Sequence, residues 1–229
     1  MPNILAIETS IPAASIALKL GDQPPLKKKF ESHRQQNQLL FSPLQQLLEN
    51  MPNGDALDLI IVGTGPGSYS GSRISIAAAQ GIAAAHDCPV VGQSSFLAVN
   101  KKIINHDCIA VGNARRGSFF IAEIPIRELP MEPVLMETEE FHQKLTATSC
   151  PIYTLEPNMK FPDGSPISLE HPTATNHISS WLRLSANARR KLLNMPPSPT
   201  YLRAPFITKA KPGHPLLRGK VNPRKTPNG

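Results

Sequence analysis

The sequence predicts an α/β protein made of one or two modest domains, and three observations indicate this class. An apolar run at residues 57–62 is followed by a glycine-rich loop and an alanine-rich helical pattern, which is the order strand, loop, helix. Residues 4–31 contain three short apolar or alternating runs separated by turn residues, as expected for three strands. A length of 229 residues with 40% hydrophobic content suits one or two domains of this kind.

The opening strands are predicted at residues 4–7, 14–20 and 26–31. The sequence GDQPP separates the second strand from the third and is typical of a hairpin loop. The third strand contains three consecutive lysines, Lys27 to Lys29, which is typical of a strand at the edge of a sheet. We therefore expect an antiparallel meander that ends at an open edge.

A leucine-rich helix follows, because Leu40, Leu44, Leu47 and Leu48 share one helical face. Pro43 leaves two alternatives open for where it begins. Either Ser42 caps a helix that starts at Pro43, or a longer helix from about Gln36 bends at the proline.

The glycine-rich loop, GTGPGSYSG at 63–71, places backbone N–H groups at the start of a helix, where anions are favoured. Phosphate binding is therefore one hypothesis. The loop matches neither common phosphate motif, because Gly71 is not followed by lysine and the G-x-G-x-x-G spacing fails. A tight turn that needs glycine for its backbone angles explains the loop equally well.

The helix after this loop, expected from about Arg73, is almost without bulky side chains. Its small residues are Ala77, Ala78, Ala79, Gly81, Ala83, Ala84 and Ala85. Small side chains let another backbone approach closely. Packing against its own sheet would account for one small face, so small residues on nearly all faces indicate a partner helix as well.

The second half is predicted as a reduced domain. Strands are expected at 108–111 and 117–126, residues 125–175 are rich in proline and loop-like, and a helix is expected over 175–193. We place the domain boundaries at 1–100, 101–207 and 208–229. The last segment carries much of the net charge of +7 and no acidic residue. We expect this segment to be disordered. It would serve either as a solubilising end or as a weak contact to RNA phosphates.

Composition excludes several classes of protein. No apolar run reaches the roughly 18–20 residues of a membrane span, and the N-terminus lacks a secretory leader. Cys88, Cys108 and Cys150 are widely spaced and odd in number, which argues against disulfides or zinc and for a reducing, cytoplasmic setting. The sequence does not indicate a catalytic Ser/His/Asp group.

Five stretches of this sequence resemble the TsaB (YeaZ) family. The run GTGPGSYSGSRISIAAAQGIA matches the family's glycine loop and small-residue helix, and ILAIETS, PVVGQSSF, NARRGSFFIAEI and PTYLR match its other conserved segments. The resemblance covers most of residues 3–207, strongly in the first half and thinly between 125 and 195.

This resemblance implies an actin/Hsp70/sugar-kinase-like (ASKHA) fold of two α/β domains, the second one reduced. It also implies a role as the non-catalytic partner of a TsaD-type subunit in synthesis of threonylcarbamoyladenosine on tRNA. A TsaE-type ATPase would join the larger complex, a homodimer is possible, tRNA would be reached indirectly, and no membrane is involved. No cofactor of its own is implied, although ATP or ADP at the partner interface is an option.

The resemblance also assigns candidate residues. The partner interface would use the leucine-rich and the small-residue helix, at Leu40, Leu44, Leu47, Leu48, Ala78, Ala79 and Ala83. The glycine loop could face a nucleotide or phosphate through Gly65, Gly67, Ser68 and Arg73. Arg73 could alternatively be a surface charge or a salt-bridge partner near the helix start. The family's similar long helix favours the bend at Pro43.

Several departures argue against an active nucleotide site. Glu8 stands where the family often has Asp, no glycine precedes Pro12, and Asn113 replaces a family Asp. We interpret the first turn as a degraded phosphate site and favour Glu8 as a solvated turn acid. The catalytic partner's two metal-binding histidines are reduced here to His33 and Asn37, so no metal is predicted.

Three functional hypotheses follow. We favour a scaffold that activates a catalytic partner through its two helices and has no activity alone. The alternative is an active ATP-dependent phosphotransferase of the actin-like superfamily. An RNA-binding module is the third, and an aromatic content of 5% argues against base stacking as its main work.

Overall fold

The computed structural model describes residues 1–31, 36–52, 54–115, 117–157, 159 and 167–202, and the side chains of residues 36–38 and 115 are not described. The first half contains five strands and two long helices: β1 (Ile4–Glu8), β2 (Ala13–Lys19), β3 (Leu26–Glu31), α1 (Gln36–Leu48), β4 (Leu59–Gly63), α2 (Tyr69–His86) and β5 (Val90–Gln93). A short 3₁₀ helix (Ser95–Leu97) and α3 (Lys101–Ile104) lead into the second half.

In the described residues, the second half contains five more strands and three helices. These are β6 (Cys108–Arg115), β7 (Ser118–Ile124), β8 (Val134–Glu137), α4 (Thr138–Thr146), β9 (Ile152–Thr154), β10 (Ile167–Leu169), α5 (Ala174–Arg183) and α6 (Ala186–Leu193). Within the described part of the chain, none of the helices has the length and apolar character that crossing a bilayer requires.

The two halves repeat one topology. The first sheet has the order β3-β2-β1-β4-β5 and the second the order β10-β9-β6-β7-β8. In each, three antiparallel strands come first in the chain, and two further strands then join in parallel beside the first of them. This pair of related α/β units is the architecture expected from the sequence.

Three apolar layers form the core of the fold. One lies between the first sheet and helices α1 and α2, with Ile7, Ile16 and Leu44 among its residues. A second lies between the two sheets and includes α5 and α6, through Ile178 and Trp181. The third covers the outer face of the second sheet with α4. Because α5 contacts β1, β2 and β4, the chain returns to the first unit after completing the second.

Several predicted elements agree with the structure, and others need correction. Helix α1 runs through Pro43 as one element, which supports the longer of the two alternatives. Helix α2 starts at Tyr69, not near Arg73, because Ser68 caps it. The proline-rich region contains the unpredicted helix α4. The helix expected over 175–193 is two helices, since Ser185 caps a new one. The domain boundaries stay a prediction, and His33 and the basic tail lie outside the described residues.

Candidate functional site

The glycine loop joins β4 to α2 and is packed against the turn between β1 and β2. The Ser68 amide donates to the carbonyl oxygen of Ser10 over 2.6 Å. A Cβ atom on Gly67 would overlap that carbonyl, and one on Gly71 would overlap the carbonyl of Thr9. Close backbone contact therefore explains these two glycines.

Three amide groups at the start of α2 donate to the chain itself. The Gly71 amide donates to Ser68 Oγ over 3.1 Å, and the Ser72 amide donates to the Ser68 carbonyl oxygen over 3.1 Å. The Ser68 amide is bound to Ser10. These contacts occupy the Ser68, Gly71 and Ser72 amides, so those three are not available to a phosphate group.

Glu8 lies under this loop and is fully buried, at 0% exposure. Its Oε1 accepts from the Ser10 amide at 2.6 Å. Its Oε2 accepts from Ser95 Oγ at 2.7 Å and from His177 Nε2 at 2.8 Å. The interpretation of Glu8 as a solvated turn acid is therefore wrong, because its carboxylate is an internal hydrogen-bonding centre.

The pKa of Glu8 reflects two opposing effects. Burial by itself raises the pKa of this carboxyl group, but the hydrogen bond and electrostatic attraction of His177, with the hydrogen bonds from Ser95 and Ser10, lower it below the usual value. The group is therefore held as a carboxylate, and His177 Nε2 is the donor in their hydrogen bond.

The Glu8 centre ties four segments of the fold together. Ser95 Oγ also accepts from the Gly65 amide at 3.1 Å, so the glycine loop is linked to β1 through one serine. The carboxylate occupies the space beside Gly63, where a Cβ atom would overlap it. Among the described residues, His177 Nδ1 and Gln93 Oε1 are the buried side-chain atoms without a hydrogen-bond partner. The arrangement positions the loop and presents no solvent-accessible acid.

A cleft of about 1050 Å³ opens between the two units beside the glycine loop. Its lining is mainly apolar, and Gly67 contributes from the loop. The polar lining includes Asn113, whose backbone amide donates to Glu156 Oε1 over 3.0 Å. Of the four predicted loop residues, only Gly67 is among those that line this cleft; Gly65, Ser68 and Arg73 are not.

Arg73 lies on the solvent-facing side of α2. Its guanidinium carbon is 3.9 Å from the centre of the Tyr69 ring, and its Nε donates to the hydroxyl of Tyr201 over 3.1 Å. The two tyrosine rings are 5.5 Å apart. We call these three side chains the Tyr-Arg cluster. It places the cation on the outer face of the helix, away from the cleft.

The predicted interface residues divide by burial. Leu40, Leu44, Leu47, Ala79 and Ala83 are buried in the chain's own core, between the first sheet and the two helices. Leu48 and Ala78 are half-buried beside that core. Substitution at Leu44 or Ala79 would therefore disturb the fold, and a partner would contact other residues of the same helices.

The described residues contain no group of three or more His, Cys, Asp or Glu side chains arranged to hold a metal ion. Burial raises the pKa of the Cys108 thiol to about 12, with smaller effects of Cys150 and Asp107. The pKa values of the other two thiols are also raised, first of all by burial. None of these three cysteines is therefore an activated thiol.

The glycine loop, the buried carboxylate and the two-unit architecture can be compared with known proteins. A family model described as TsaD, tRNA N6-adenosine threonylcarbamoyltransferase, matches residues 31–128. The chain is 30% identical over 129 residues to the tRNA threonylcarbamoyladenosine biosynthesis protein TsaB of Escherichia coli K12, covering 53% of this chain and 54% of that protein. These matches support the predicted resemblance to the TsaB (YeaZ) family.

Further relatives agree. TsaB of Haemophilus influenzae is 27% identical over 132 residues, or 55% of each chain. The crystal structure of YeaZ from Pseudomonas aeruginosa superposes with a TM-score of 0.63 at 22% identity, covering 88% of this chain and 100% of that one. A second Pseudomonas aeruginosa structure, described as similar to the peptidase YeaZ, gives 0.63 at 23% identity. The ASKHA-like fold is therefore confirmed. The chain spans about half the length of the curated relatives it matches.

Sequence reasoning missed three residues of this region. His177 and Ser95 were not singled out, and Tyr201 was noted only within PTYLR. His177 lies 169 positions from Glu8 and Ser95 lies 87, so no local pattern connects them. A signal was present for Tyr201, since PTYLR matches a family segment and an aromatic residue near the end of a fold needs a packing partner.

Proposed function

We propose that this chain takes part in the biosynthesis of threonylcarbamoyladenosine on tRNA as the non-catalytic partner of a TsaD-type catalytic subunit. The names of its relatives support the pathway. The proposed role within that pathway is supported by the exposed face of α2 and by the burial and hydrogen bonding of Glu8.

The solvent face of α2 is the observation that carries the proposal. This helix already buries one face against its own sheet, through Ile76, Ala79 and Ala83. Its opposite face is exposed and still nearly without bulk, at Ala77, Gly81 and Ala84. Nothing lies within 4 Å of the position of a Cβ atom on Gly81. A partner helix could approach this face closely.

Helix α1 adds exposed apolar groups nearby in the fold. Leu39 is 40% exposed and Phe41 is 54% exposed, and α1 contacts α2. Exposed apolar side chains are typical of protein interfaces. The same surface could serve a homodimer when the catalytic subunit is absent.

The lack of catalysis alone is supported by the chemistry at the loop. Glu8, the acid of the first turn, is buried and fully engaged in hydrogen bonds, and Asn113 cannot act as a base. Three amides at the start of α2 already donate within the chain and are not available to phosphate. We therefore propose that the chain has no cofactor of its own, and that any ATP or ADP at the interface would be bound with residues of the catalytic partner. A TsaE-type ATPase and tRNA would be met through the assembled complex.

Co-purification with the TsaD-type subunit of the same organism tests this proposal. The wild-type chain should co-purify, and Ala77→Arg should abolish the complex while its circular dichroism and melting temperature remain those of the wild type. Ala147→Arg is the matched control, because Ala147 is an exposed alanine at the end of α4. Equal recovery with both variants would contradict the helical interface.

The alternative function, an ATP-dependent phosphotransferase, makes a different prediction. It would require the isolated chain to turn over ATP, and Glu8→Gln to remove that activity. If the isolated wild-type chain hydrolyses ATP and does not bind the TsaD-type subunit, the phosphotransferase replaces the scaffold as the better account.

A further inference from the structure

The Tyr-Arg cluster has features that the proposed interface does not yet explain. Tyr69 is 52% exposed and Tyr201 is 41% exposed, although the rings are held together by Arg73. Tyrosine and arginine are the residue types most enriched at the energetic centres of protein interfaces. An exposed set of three that is already fixed by internal contacts loses little side-chain freedom on binding.

Arg73 has no ion-pair partner within the part of the chain that the structure describes. It has an aromatic face and a hydroxyl as neighbours, and no salt bridge to a carboxylate is formed there. Because Arg73 is exposed and its Nε is used by Tyr201, the two terminal nitrogens are the donors left for a partner. Such a pair of donors pairs best with a carboxylate or a phosphate.

The geometry favours a protein carboxylate over an RNA phosphate. The guanidinium covers one face of Tyr69 at 3.9 Å, so that face cannot stack on a base. The helix surface beyond Arg73 carries Ala77, Gly81 and Ala84, which provide no further cations to follow a phosphate backbone. The same row allows a polypeptide to lie close to the helix.

We infer that the Tyr-Arg cluster is the anchor that determines which partner binds: Arg73 receives an Asp or Glu side chain of the catalytic subunit, and Tyr69 and Tyr201 hold the guanidinium in place for it. This inference rests on the proposed function, since it names the charged contact within that interface. Tyr201 comes from the segment after α6, and the Thr200 amide fixes that segment by donating to the Thr64 carbonyl oxygen over 2.8 Å.

Affinity measurements with the purified TsaD-type subunit test the anchor. Arg73→Gln should weaken the complex about 30-fold or more, as for a central interface residue, whereas Arg190→Gln, an exposed arginine on α6, should change it less than about twofold. Wild-type affinity should fall as NaCl rises from about 50 mM to about 500 mM, and Arg73→Gln should flatten this dependence.

A chemical cross-link identifies the partner group. Arg73→Lys places an amine at the same site, and a carbodiimide joins an amine to a nearby carboxylate. We expect a cross-linked peptide between position 73 and an Asp or Glu of the TsaD-type subunit, with none when position 73 is Gln.

Three outcomes would overturn the anchor. If Arg73→Gln and Arg190→Gln bind the TsaD-type subunit with equal affinity and no cross-link forms, the cluster does not take part in binding. A cross-link to a second copy of this chain would assign it to a homodimer. Loss of tRNA binding by Arg73→Gln, measured without the catalytic subunit, would assign it to RNA. If wild-type protein forms no complex, the proposed function itself fails, which is distinct from a complex that ignores Arg73.

Discussion

At the scale of single residues, Glu8 determines how the glycine loop is held. Its carboxylate joins the β1–β2 turn, the 3₁₀ helix and α5 through Ser10, Ser95 and His177. A buried carboxylate is tolerated only when donors satisfy it. The loop and the first turn are therefore fixed by an internal polar contact, and neither presents that acid to a ligand.

Replacing Glu8 tests this role through stability. Glu8→Gln should lower the free energy of unfolding by about 2–4 kcal/mol, because an amide cannot accept all three hydrogen bonds and its NH₂ group meets donors. The sign of the pH dependence follows from the lowered pKa. The stabilisation is fully present above the unfolded-state value, near 4.5, and is lost as pH falls through the folded-state pKa.

Urea denaturation of both proteins at a series of pH values measures this effect. The difference in unfolding free energy between wild type and Glu8→Gln should be constant near neutral pH and should shrink below about pH 4.5. A difference that stays constant into acid, or that is absent at neutral pH, would contradict the buried carboxylate.

The thiols provide a second residue-scale prediction. Cys108 is buried and its pKa is raised to about 12, mainly by burial, so almost no thiolate is present at neutral pH. Reaction with a chromogenic disulfide reagent should label Cys88 and Cys150 in the native protein, and Cys108 only after urea is added. Labelling of Cys108 at the same rate as Cys150 in native protein would disprove its burial.

At the scale of elements, α2 has two different faces, and the sequence could not show which of its small residues lay on each. The pattern of Ala and Gly indicated close packing on more than one side. The structure assigns Ala79 and Ala83 to the core and leaves Ala77, Gly81 and Ala84 exposed. That assignment depends on how the helix is rotated against the sheet, which small residues on all faces do not specify.

Gly81 allows the exposed face to be tested separately from the fold. Gly81→Ala should raise the free energy of unfolding of the isolated chain by about 0.5–1 kcal/mol, because alanine is the better helix former and its methyl group meets open space. The same methyl group should weaken the complex with the TsaD-type subunit. Thermal melts and a binding titration of one variant therefore move in opposite directions, and a variant that gains stability without losing affinity would place the partner elsewhere.

The predicted elements differ in accuracy for physical reasons. The first four strands were located from local alternation and apolar runs, which the sheet preserves. Helix α4 was missed because flanking prolines suggested loops, although Phe141 and Leu145 form a buried face of the short helix. The start of α2 was placed too late because Gly71 is a poor helix former; Ser68 nevertheless caps the helix before it.

At the scale of the whole molecule, two related α/β units enclose a cleft, and the glycine loop lies on its edge. The family segments predicted this architecture, because they follow the order of strands and loops through most of the chain. They could not show that Glu8 is joined to His177, since that contact exists only after α5 returns to the first sheet. The sequence therefore predicted which segments form the site. The hydrogen bonds that join those segments could be seen only in the folded structure.

The closed loop predicts how the isolated chain responds to nucleotide. Addition of ATP with magnesium should leave its melting temperature unchanged, because three amides at the start of α2 already donate within the chain and are not available to phosphate. The matched measurement uses ADP and adenosine at the same concentration. A rise of several degrees with ATP alone would indicate a working phosphate site and would favour the phosphotransferase.

The central claim is that this chain acts by supporting a catalytic partner through the exposed face of α2. The most direct test is formation of threonylcarbamoyladenosine on tRNA, measured by mass spectrometry of nucleosides, in an extract of the same organism depleted of this chain. Wild-type protein and Ala147→Arg should restore formation, and Ala77→Arg should not. Full restoration by Ala77→Arg, or formation in the depleted extract without any addition, would contradict the account.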